Sequence, residues 1–283
     1  MERLKNLKYI EVENHDGWLE IFISNQKKRN ALSSKLVDEM IRLFAELKVD
    51  ENVRGIIIQG KNNIFCSGAD LDELRKIAYE EEKMKELTIN MSENIGKLLK
   101  MIHDAPQVTV SVVDGPCIAG GFGMACAADI LIAMGSSYFK LSETKLGLIP
   151  SQISPYLLNR MTFSKARQLM LLGDDLDGST AHSIGVADYL AHSYEDLYKV
   201  ISQIKSKVML CSPNAIAKTK SHLSKARNID IQRSSQLFFE CINHDEGLEG
   251  LQSFFEKRDP YWAKSNSQLV LCIQIKVHKI LKH

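Results

Sequence analysis

The 283-residue sequence has no long apolar run and no excess of charge of either sign. Because no stretch reaches the length of a membrane span or of the apolar part of a signal peptide, we expect a cytoplasmic protein with no membrane partner. The 36 basic and 35 acidic residues leave a formal charge of +1. Binding through counterion release needs a basic face, so this balance argues against a nucleic-acid partner.

Cysteines are few and widely spaced, with no C-x-x-C pair and no Cys/His cluster of the kind that binds zinc. We therefore predict free thiols in a reducing compartment and no metal site. The six are Cys66, Cys117, Cys126, Cys211, Cys241 and Cys272. Repeats with a period of 20 to 50 residues are also lacking, which argues against a solenoid or propeller. A chain of this length, 45% apolar, can bury a large core without disulfides or metal.

The apolar pattern predicts an α/β fold. Apolar and polar residues alternate in two runs over residues 8–24, broken at residues 14–17, which predicts a β-hairpin. Further strands are predicted at residues 53–59, Val108–Val113, 130–133 and 138–141. Helical spacing predicts helices at residues 33–47 with Ser34 as the candidate cap, at 72–103, at 120–128 and over most of the chain beyond 141. Alternating strands and helices are typical of α/β domains.

The chain changes character near residue 200. Residues 1–200 are rich in strands and carry every glycine cluster, so we expect them to form the α/β core. Residues 201–263 are helical in pattern, which suits a satellite layer or an oligomer interface. Residues 264–283 alternate in part and carry basic residues, so they form either an edge strand or a basic tail. Composition favours the tail.

The first of three glycine-containing turns is Phe65-Cys66-Ser67-Gly68-Ala69-Asp70-Leu71, between a predicted strand and a helix. Such a turn can direct the backbone N–H of Ala69 into a cleft, while Asp70 caps the helix. The alternative is an ordinary turn in which Gly68 relieves backbone strain.

The second segment runs from Asp114 to Gly123 and ends in Ala119-Gly120-Gly121-Phe122-Gly123 at the predicted start of a helix. Glycines there let a ligand approach the main chain, and a helix N-terminus favours developing negative charge. Equally, the glycines can serve only close packing of the helix against the sheet. The G-x-G-x-x-G spacing of dinucleotide-binding proteins is missing.

The third segment, residues 139–150, places Glu143 between a predicted strand and Gly147. Partial burial there would raise the pKa of the Glu143 carboxyl, as in many acid/base residues. Solvation, or pairing with Lys145, is the alternative.

Together, the ordered motifs resemble the crotonase family, also called the enoyl-CoA hydratase/isomerase family, through Trp262. The matching residues are Arg29-Asn30-Ala31-Leu32, Ser67-Gly68-Ala69-Asp70-Leu71, Ala119-Gly120-Gly121 with Asp129, Ser142-Glu143-Thr144-Lys145-Leu146-Gly147, Glu246-Gly247, and Phe255-Glu256-Lys257-Arg258-Asp259-Pro260. The resemblance implies a crotonase-type spiral of ββα units with a helical C-terminal region. It also implies homotrimers or hexamers that bind acyl-CoA thioesters.

Position by position, the resemblance implies that the amides of Ala69 and Gly120 form an oxyanion hole and that Glu143 is the acid/base residue. Coenzyme A enters as part of the substrate, and no other cofactor is expected. The turn around Ser67 would hold the adenine end, and basic side chains would hold the phosphates. The implied coenzyme A and substrate-binding residues are Lys28, Arg29, Ser67, Gly68, Asp70, Gly121, Gln152 and Lys257.

One position departs from the family pattern. Hydratases with two catalytic glutamates carry the first in the helix after the glycines, where this chain has Gly123. A single carboxylate can add water by taking and returning a proton through the same water, and it can also move a proton between the α and γ carbons. Decarboxylation needs chiefly the oxyanion hole.

A finer resemblance is to bacterial methylglutaconyl-CoA hydratases, carried by Gly-Phe-Gly at 121–123 and by residues 141–150 and 153–156. We therefore predict a hydro-lyase that hydrates or dehydrates a branched 2-enoyl-CoA with a distal carboxylate. The alternatives are a Δ3/Δ2 isomerase, a carrier-protein-linked dehydratase, a decarboxylase, a thioesterase or a non-catalytic acyl-CoA-binding member. Residues 151–156, including Gln152, either add polar donors to the acyl pocket or simply cap and pack the next helix.

Overall fold

The structure, a computed structural model, describes residues 7–80, 82–224, 240 and 244–263. The chain forms two compact units, Met1–Val200 and Ile201–His283. The predicted tail at 264–283 lies outside the described residues, as do Cys241 and Cys272.

Two sheets organise the first unit. Their strands are β1 (Ile10–His15), β2 (Trp18–Ile23), β3 (Gly55–Gly60), β4 (Val108–Val113), β5 (Pro116–Ile118), β6 (Ile130–Met134), β7 (Tyr138–Lys140), β8 (Asp175–Asp177) and β9 (Tyr189–Ala191). The main sheet has six strands in the order β1-β2-β3-β4-β6-β9, and the smaller sheet has the order β5-β7-β8. Strands β1 and β2 form the predicted hairpin, with Ile10 opposite Ile23 and His15 opposite Trp18. The other pairs of the main sheet are parallel.

Helices follow most strands. They are α1 (Ser34–Leu47), α2 (Leu71–Ala78), α3 (Met84–His103), α4 (Gly120–Ala127), α5 (Ser154–Leu158), α6 (Phe163–Leu172), α7 (Gly178–Ser183), α8 (Tyr194–Met209), α9 (Pro213–Leu223) and α10 (Asp245–Glu256). Short 3-10 turns occupy Gln26–Lys28, Thr144–Leu146 and Tyr261–Ala263.

Helix α1 shows how spacing sets the core. Its residues at helical spacing, among them Leu36, Met40 and Leu43, are buried. The predicted cap was wrong by one residue: the side chain of Ser33, not Ser34, accepts from the backbone N–H of Leu36. Ser33 has the extended backbone that a helix cap requires, whereas Ser34 is already helical and its N–H and hydroxyl donate to Glu73.

Two other expectations were wrong. The single helix predicted over 72–103 is broken between α2 and α3. Helix α2 buries none of its residues, so packing does not support its continuation through the charged stretch that follows. Strands β8 and β9 interrupt the predicted helical region beyond 141; each has only three residues, too few to show a period.

The described cysteines Cys66, Cys117, Cys126 and Cys211 are free thiols, and the first three are buried. Over the described part of the chain, no helix is both long enough and apolar enough to cross a membrane.

In the second unit, Ser212 caps α9, and the carboxylate of Glu246 accepts from the backbone N–H of Asn214. Arg258 donates two hydrogen bonds to Glu249, at 2.6 and 2.8 Å. The first contact links the N-terminal turns of α9 and α10, and the second links α10 to the segment that follows it.

Candidate active site

Two backbone segments run side by side at the centre of the site. Cys66 and Cys117 form a parallel bridge, and the N–H of Ile118 donates to the carbonyl of Cys66 at 2.9 Å. Three residues beyond this bridge, the two segments reach Ala69 and Gly120. The register therefore brings the first and second glycine-containing turns together, and their predicted oxyanion amides occupy equivalent positions.

Glycines allow this close approach. Gly68 has φ +92, and a Cβ there would lie 3.1 Å from the Cβ of Ala119. A Cβ at Gly121 would lie 2.6 Å from the Cβ of Cys66. Both residues named earlier as binding candidates thus have a structural reason to be glycine. For Gly121, close packing accounts for the residue type.

The amides of Ala69 and Gly120 are available to a ligand. In the described part of the chain neither N–H donates a hydrogen bond, whereas the neighbouring N–H groups of Leu32 and Ala119 donate to Gly68 and Lys140. Gly120 is the first residue of α4, where an N–H has no acceptor within the helix. The partial positive charge of that helix end favours an oxygen that gains negative charge.

Ala119 holds a strained conformation just before Gly120. Its φ of 51 and ψ of −119 lie outside the regions that a residue with a Cβ prefers. The hydrogen bond from its N–H to the carbonyl of Lys140, at 2.8 Å, holds the turn in place. Strained backbone conformations are common at functional sites, where the surrounding structure holds backbone groups in a fixed position.

A cavity of about 330 Å³ opens in front of these amides. Its walls come from the two turns, from α2 and α3, and from residues 142–153. The lining residues are Ser67, Ala69, Leu71, Leu74, Thr88, Met91, Ser92, Ile95, Ile118, Ala119, Gly120, Ser142, Glu143, Leu146, Leu148, Ile149, Pro150, Ser151, Gln152 and Ile153. The three segments singled out in the sequence therefore meet in one pocket.

Glu143 lines this cavity. Its Oε2 atom is buried and has no hydrogen-bond partner among the described residues. Burial raises the pKa of the Glu143 carboxyl above its ordinary value, although the nearby backbone N–H groups of Glu143 and Ser142 partly oppose the shift. The cavity therefore contains a partly buried carboxyl whose pKa is higher than that of an exposed glutamate.

Pairing with Lys145, the alternative for Glu143, is not seen between these two described side chains. The Lys145 side chain lies instead against Gly173, where a Cβ would be 2.9 Å from its Cε. The hydroxyl of Thr144 donates to the carbonyl of Met170 at 3.0 Å and fixes the turn that carries Glu143.

Ile153 fills the space beside position 123, where two-glutamate hydratases carry the first of their catalytic glutamates. A Cβ at Gly123 would lie 2.1 Å from Cγ2 of Ile153 and 2.5 Å from its Cβ. Ile153 is buried and lines the cavity. Position 123 therefore has no room for a longer side chain unless Ile153 moves.

Residues 151–156 border the cavity and lead into α5, but none of their side chains caps that helix: its N-cap residue is Ile153, with no side-chain cap hydrogen bond. Gln152 lines the cavity, and its Nε2 donates to the hydroxyl of Ser92 at 3.2 Å. Ser154 begins α5, and its hydroxyl donates to the carbonyl of Ser151 at 3.1 Å. Pro155 follows in the first turn of that helix.

The remaining binding candidates of the first unit lie near the first turn. As predicted, Asp70 caps α2, because its Oδ1 accepts from the N–H of Asp72 at 3.0 Å and of Glu73 at 3.3 Å. Lys28 pairs with both Asp70 and Asp72, so binding a phosphate would compete with these ion pairs.

Ser67 and Arg29 connect the Lys28 turn to the site. Ser67 donates through its hydroxyl to the carbonyl of Lys28 at 3.2 Å and through its N–H to the carbonyl of Arg29 at 3.2 Å. Arg29 is exposed and has a left-handed backbone, with φ 51. Lys257 belongs to the second unit, where it is exposed and has φ 53.

Sequence reasoning gave no role to Asn30, which organises this region. It is buried, its Nδ2 donates to the carbonyl of Ile64 at 2.7 Å, and its Oδ1 accepts from the N–H of Asn25 at 2.8 Å. The signal in the sequence was the residue type, because Asn tolerates φ above zero better than most residues; in the structure Asn30 has φ 57. Ser92 of α3 was also missed.

Among the described residues, no group of three or more His, Cys, Asp or Glu side chains is placed to hold a metal ion.

Comparison with known proteins identifies the family and the fold. The family model "Enoyl-CoA hydratase/isomerase" matches residues 13–265. The chain therefore belongs to the enoyl-CoA hydratase/isomerase family, and the predicted family and fold class are confirmed.

Individual relatives are similar over most of their length. The Enoyl-CoA hydratase ACTT6 of Alternaria alternata is 33% identical over 234 residues, 82% of this chain and 76% of the relative. The crystal structure of an enoyl-CoA hydratase/isomerase from Marinobacter aquaeolei matches with a TM-score of 0.86 and 30% identity, covering 90% of this chain and 99% of that one. Pseudomonas aeruginosa AtuE matches with the same TM-score and identity, covering 91% and 100%.

Proposed function

We propose that this protein hydrates 2-enoyl-CoA thioesters, and dehydrates the corresponding 3-hydroxyacyl-CoA, with Glu143 as the single acid/base residue. The observation that carries the proposal is the shared cavity. It is lined by Glu143, whose buried Oε2 has no hydrogen-bond partner among the described residues, and by two amides that donate no hydrogen bond in the described chain. Family membership supports an acyl-CoA substrate.

In the hydration direction, the thioester oxygen accepts hydrogen bonds from the N–H groups of Ala69 and Gly120. Glu143 takes a proton from water as the water oxygen bonds to C3, and the electrons of the C2–C3 double bond move to the thioester oxygen, which becomes an enolate. The enolate then collapses as C2 takes the proton back from Glu143. In acyl-transfer enzymes, loss of one oxyanion-hole donor costs about 3 kcal/mol of transition-state stabilisation.

The raised pKa of Glu143 suits this double role, because a carboxyl that both takes and returns a proton works best when its pKa approaches the working pH. A second carboxylate does not contribute from position 123, where Ile153 fills the space. The same single carboxyl can move a proton from C2 to C4, so Δ3/Δ2 isomerisation is the competing reaction at this site.

For the acyl group, the sequence alone led us to expect a branched chain with a distal carboxylate, as in 3-methylglutaconyl-CoA; from the cavity we propose only that the distal group is polar. Gln152 and the hydroxyls of Ser92 and Ser151 support a polar distal group, since they bring donors into an otherwise largely apolar cavity.

We also propose a cytoplasmic homotrimer or hexamer whose contacts come largely from residues beyond about 200. Exposed apolar side chains in the second unit, among them Leu223, Leu248 and Leu251, support an interface there. Light scattering coupled to gel filtration should give three or six times the chain mass of 31.9 kDa. A monomer mass would contradict it.

The reaction class is tested by incubating the protein with crotonyl-CoA, 3-methylglutaconyl-CoA and a 3-enoyl-CoA in ¹⁸O-labelled water, with mass detection of the products. Hydration adds one labelled water to a 2-enoyl substrate, whereas isomerisation leaves the mass unchanged. Labelled product supports the proposal. Double-bond migration without hydration would replace it with an isomerase, and a higher kcat/KM for 3-methylglutaconyl-CoA than for crotonyl-CoA would support the distal carboxylate.

A further inference from the structure

Two polar side chains of the cavity are joined to each other. Gln152 and Ser92 both line the cavity and are joined by the hydrogen bond from Nε2 to Oγ at 3.2 Å. The lining residues beside them in sequence or one helical turn away are mixed: Met91, Ile95 and Ile153 are apolar, and Thr88 and Ser151 carry hydroxyls. A hydrogen-bonded polar pair in a largely apolar cavity indicates recognition of a polar group on the ligand.

Helix α3 is shaped to hold the Gln152 amide. Gly96 lies four residues after Ser92 and therefore on the same face of α3. A Cβ at Gly96 would lie 2.2 Å from Oε1 of Gln152 and 2.7 Å from its Cδ. Glycine is unfavourable inside a helix. Here its missing side chain leaves a notch that the amide occupies, so α3 contacts the amide at two points.

The pair has two hydrogen-bond donors and one acceptor that are not used within the pair. Ser92 Oγ accepts one amide hydrogen, and neither side chain makes another hydrogen bond among the described residues. The serine hydroxyl hydrogen and the second amide hydrogen can therefore donate, while Oε1 of Gln152 can accept. This set matches a hydroxyl, carbonyl or amide group.

Charge argues against a carboxylate at this place. None of the described lining residues is Lys, Arg or His, and Glu143 is the single ionisable carboxyl among them. A carboxylate taken out of water without a cation is costly, and here it would share a cavity with a second carboxyl. The donors of Gln152 and Ser92 are neutral and do not balance a full charge.

We propose that the Gln152–Ser92 pair recognises an uncharged oxygen-containing group on the acyl chain, so that the preferred substrates are neutral hydroxylated, oxo or amide-bearing 2-enoyl-CoA thioesters. The inference rests on the proposed function, because it assigns the acyl end of the substrate to this cavity. It replaces the distal carboxylate expected from the sequence with a neutral polar group, and it makes Ser92 and Gly96 specificity-determining residues.

The test measures binding without turnover, using saturated acyl-CoA ligands matched in length. Titration calorimetry compares butanoyl-, 4-hydroxybutanoyl- and succinyl-CoA, and the six-carbon set hexanoyl-, 6-hydroxyhexanoyl- and adipoyl-CoA. In at least one set, the hydroxylated ligand should bind the wild-type protein about tenfold more tightly than its methyl and carboxylate counterparts.

Three variants should abolish this preference: Gln152→Leu, Ser92→Ala and Gly96→Ala. In the last, the new methyl group displaces the amide although alanine is the better helix former. Asn94→Ala, an exposed position of α3 outside the cavity lining, is the matched control and should keep the preference. Circular dichroism checks that each variant folds.

Tighter binding of the carboxylate ligands, equal binding of methyl and hydroxyl ligands, or an unchanged preference in Gln152→Leu would each overturn the inference. Failure of the proposed function looks different: the hydroxyl preference would be present, but no 2-enoyl-CoA would gain labelled water. A protein that binds none of the ligands contradicts both.

Discussion

Gly123→Ala should destabilise the protein, because Ile153 occupies the space that a side chain at position 123 would need. The new Cβ would lie 2.1 Å from Cγ2 of Ile153, far inside the 3.5–4.0 Å at which carbon atoms are in contact. Overpacking of this severity costs about 3 kcal/mol. The higher helix propensity of alanine returns about 1 kcal/mol. The expected net loss in the free energy of unfolding is about 2 kcal/mol.

The assay is equilibrium unfolding in urea, with a double-mutant cycle that combines Gly123→Ala with Ile153→Gly. In the Ile153→Gly background the clash is gone, so Gly123→Ala should become neutral or stabilising by up to about 1 kcal/mol. Gly135→Ala is the matched control, since a Cβ there would meet its nearest atom, Nδ1 of His192, at 3.7 Å.

A Gly123→Ala protein as stable as the wild type, or a coupling energy near zero with Ile153, would refute the claim that Ile153 fills the position of a second glutamate. Residue 123 would then be free to carry one, and the argument for a single carboxyl would lose its structural basis.

Three further outcomes follow from the structure. Arg160→Met should lower the free energy of unfolding in urea by about 2–4 kcal/mol. The Arg160 side chain is 9% exposed and donates to three backbone carbonyls and to a carboxylate, all of which would lose their donor. An unchanged free energy of unfolding would contradict this prediction. With the two cysteines outside the described residues replaced by serine, Ellman's reagent should detect one thiol in the native protein, the exposed Cys211. The other three described thiols are buried, and burial raises the pKa of Cys66 to about 12, which disfavours the reactive thiolate. Detection of more than one thiol would show that the buried thiols are accessible. Because the native pKa of Glu143 is raised, the native state binds its proton more tightly than the unfolded chain does, so this group's contribution to stability falls as pH rises through that pKa. Urea unfolding at about pH 4 and about pH 7 should therefore show Glu143→Gln gaining on the wild type as pH rises, and a constant difference would contradict the raised pKa.

Elements with a strong burial pattern could be predicted from the sequence. In the hairpin, β2 alternates buried and half-buried positions from Leu19 to Ile23, and in β1 the exposed Glu11 and Glu13 alternate with the more buried Ile10 and Val12. Helix α1 buries one face at helical spacing. Strand β4 matches its predicted bounds because it is a continuous run of buried residues closed by Asp114-Gly115. In each case the local pattern and the tertiary packing require the same structure.

Contacts between distant residues could not be predicted in this way. Gln152 meets Ser92 and Gly96 across some sixty positions of sequence, and Ile153 meets Gly123 across thirty. Such pairs carry no local periodicity, and a glycine inside a helix reads simply as a weak position. The break between α2 and α3 was missed for a related reason: helical spacing continues in the sequence, but α2 has no buried face to sustain it.

The most direct test of the central claim is the turnover of Glu143→Gln with a 2-enoyl-CoA, measured beside the binding of a saturated acyl-CoA. The amide keeps the shape of the side chain and removes the proton exchange. We predict that kcat falls by about two to four orders of magnitude while the dissociation constant of the saturated ligand changes little. Turnover close to that of the wild type would contradict the account, because it would remove the Glu143 carboxyl from the chemistry of this cavity.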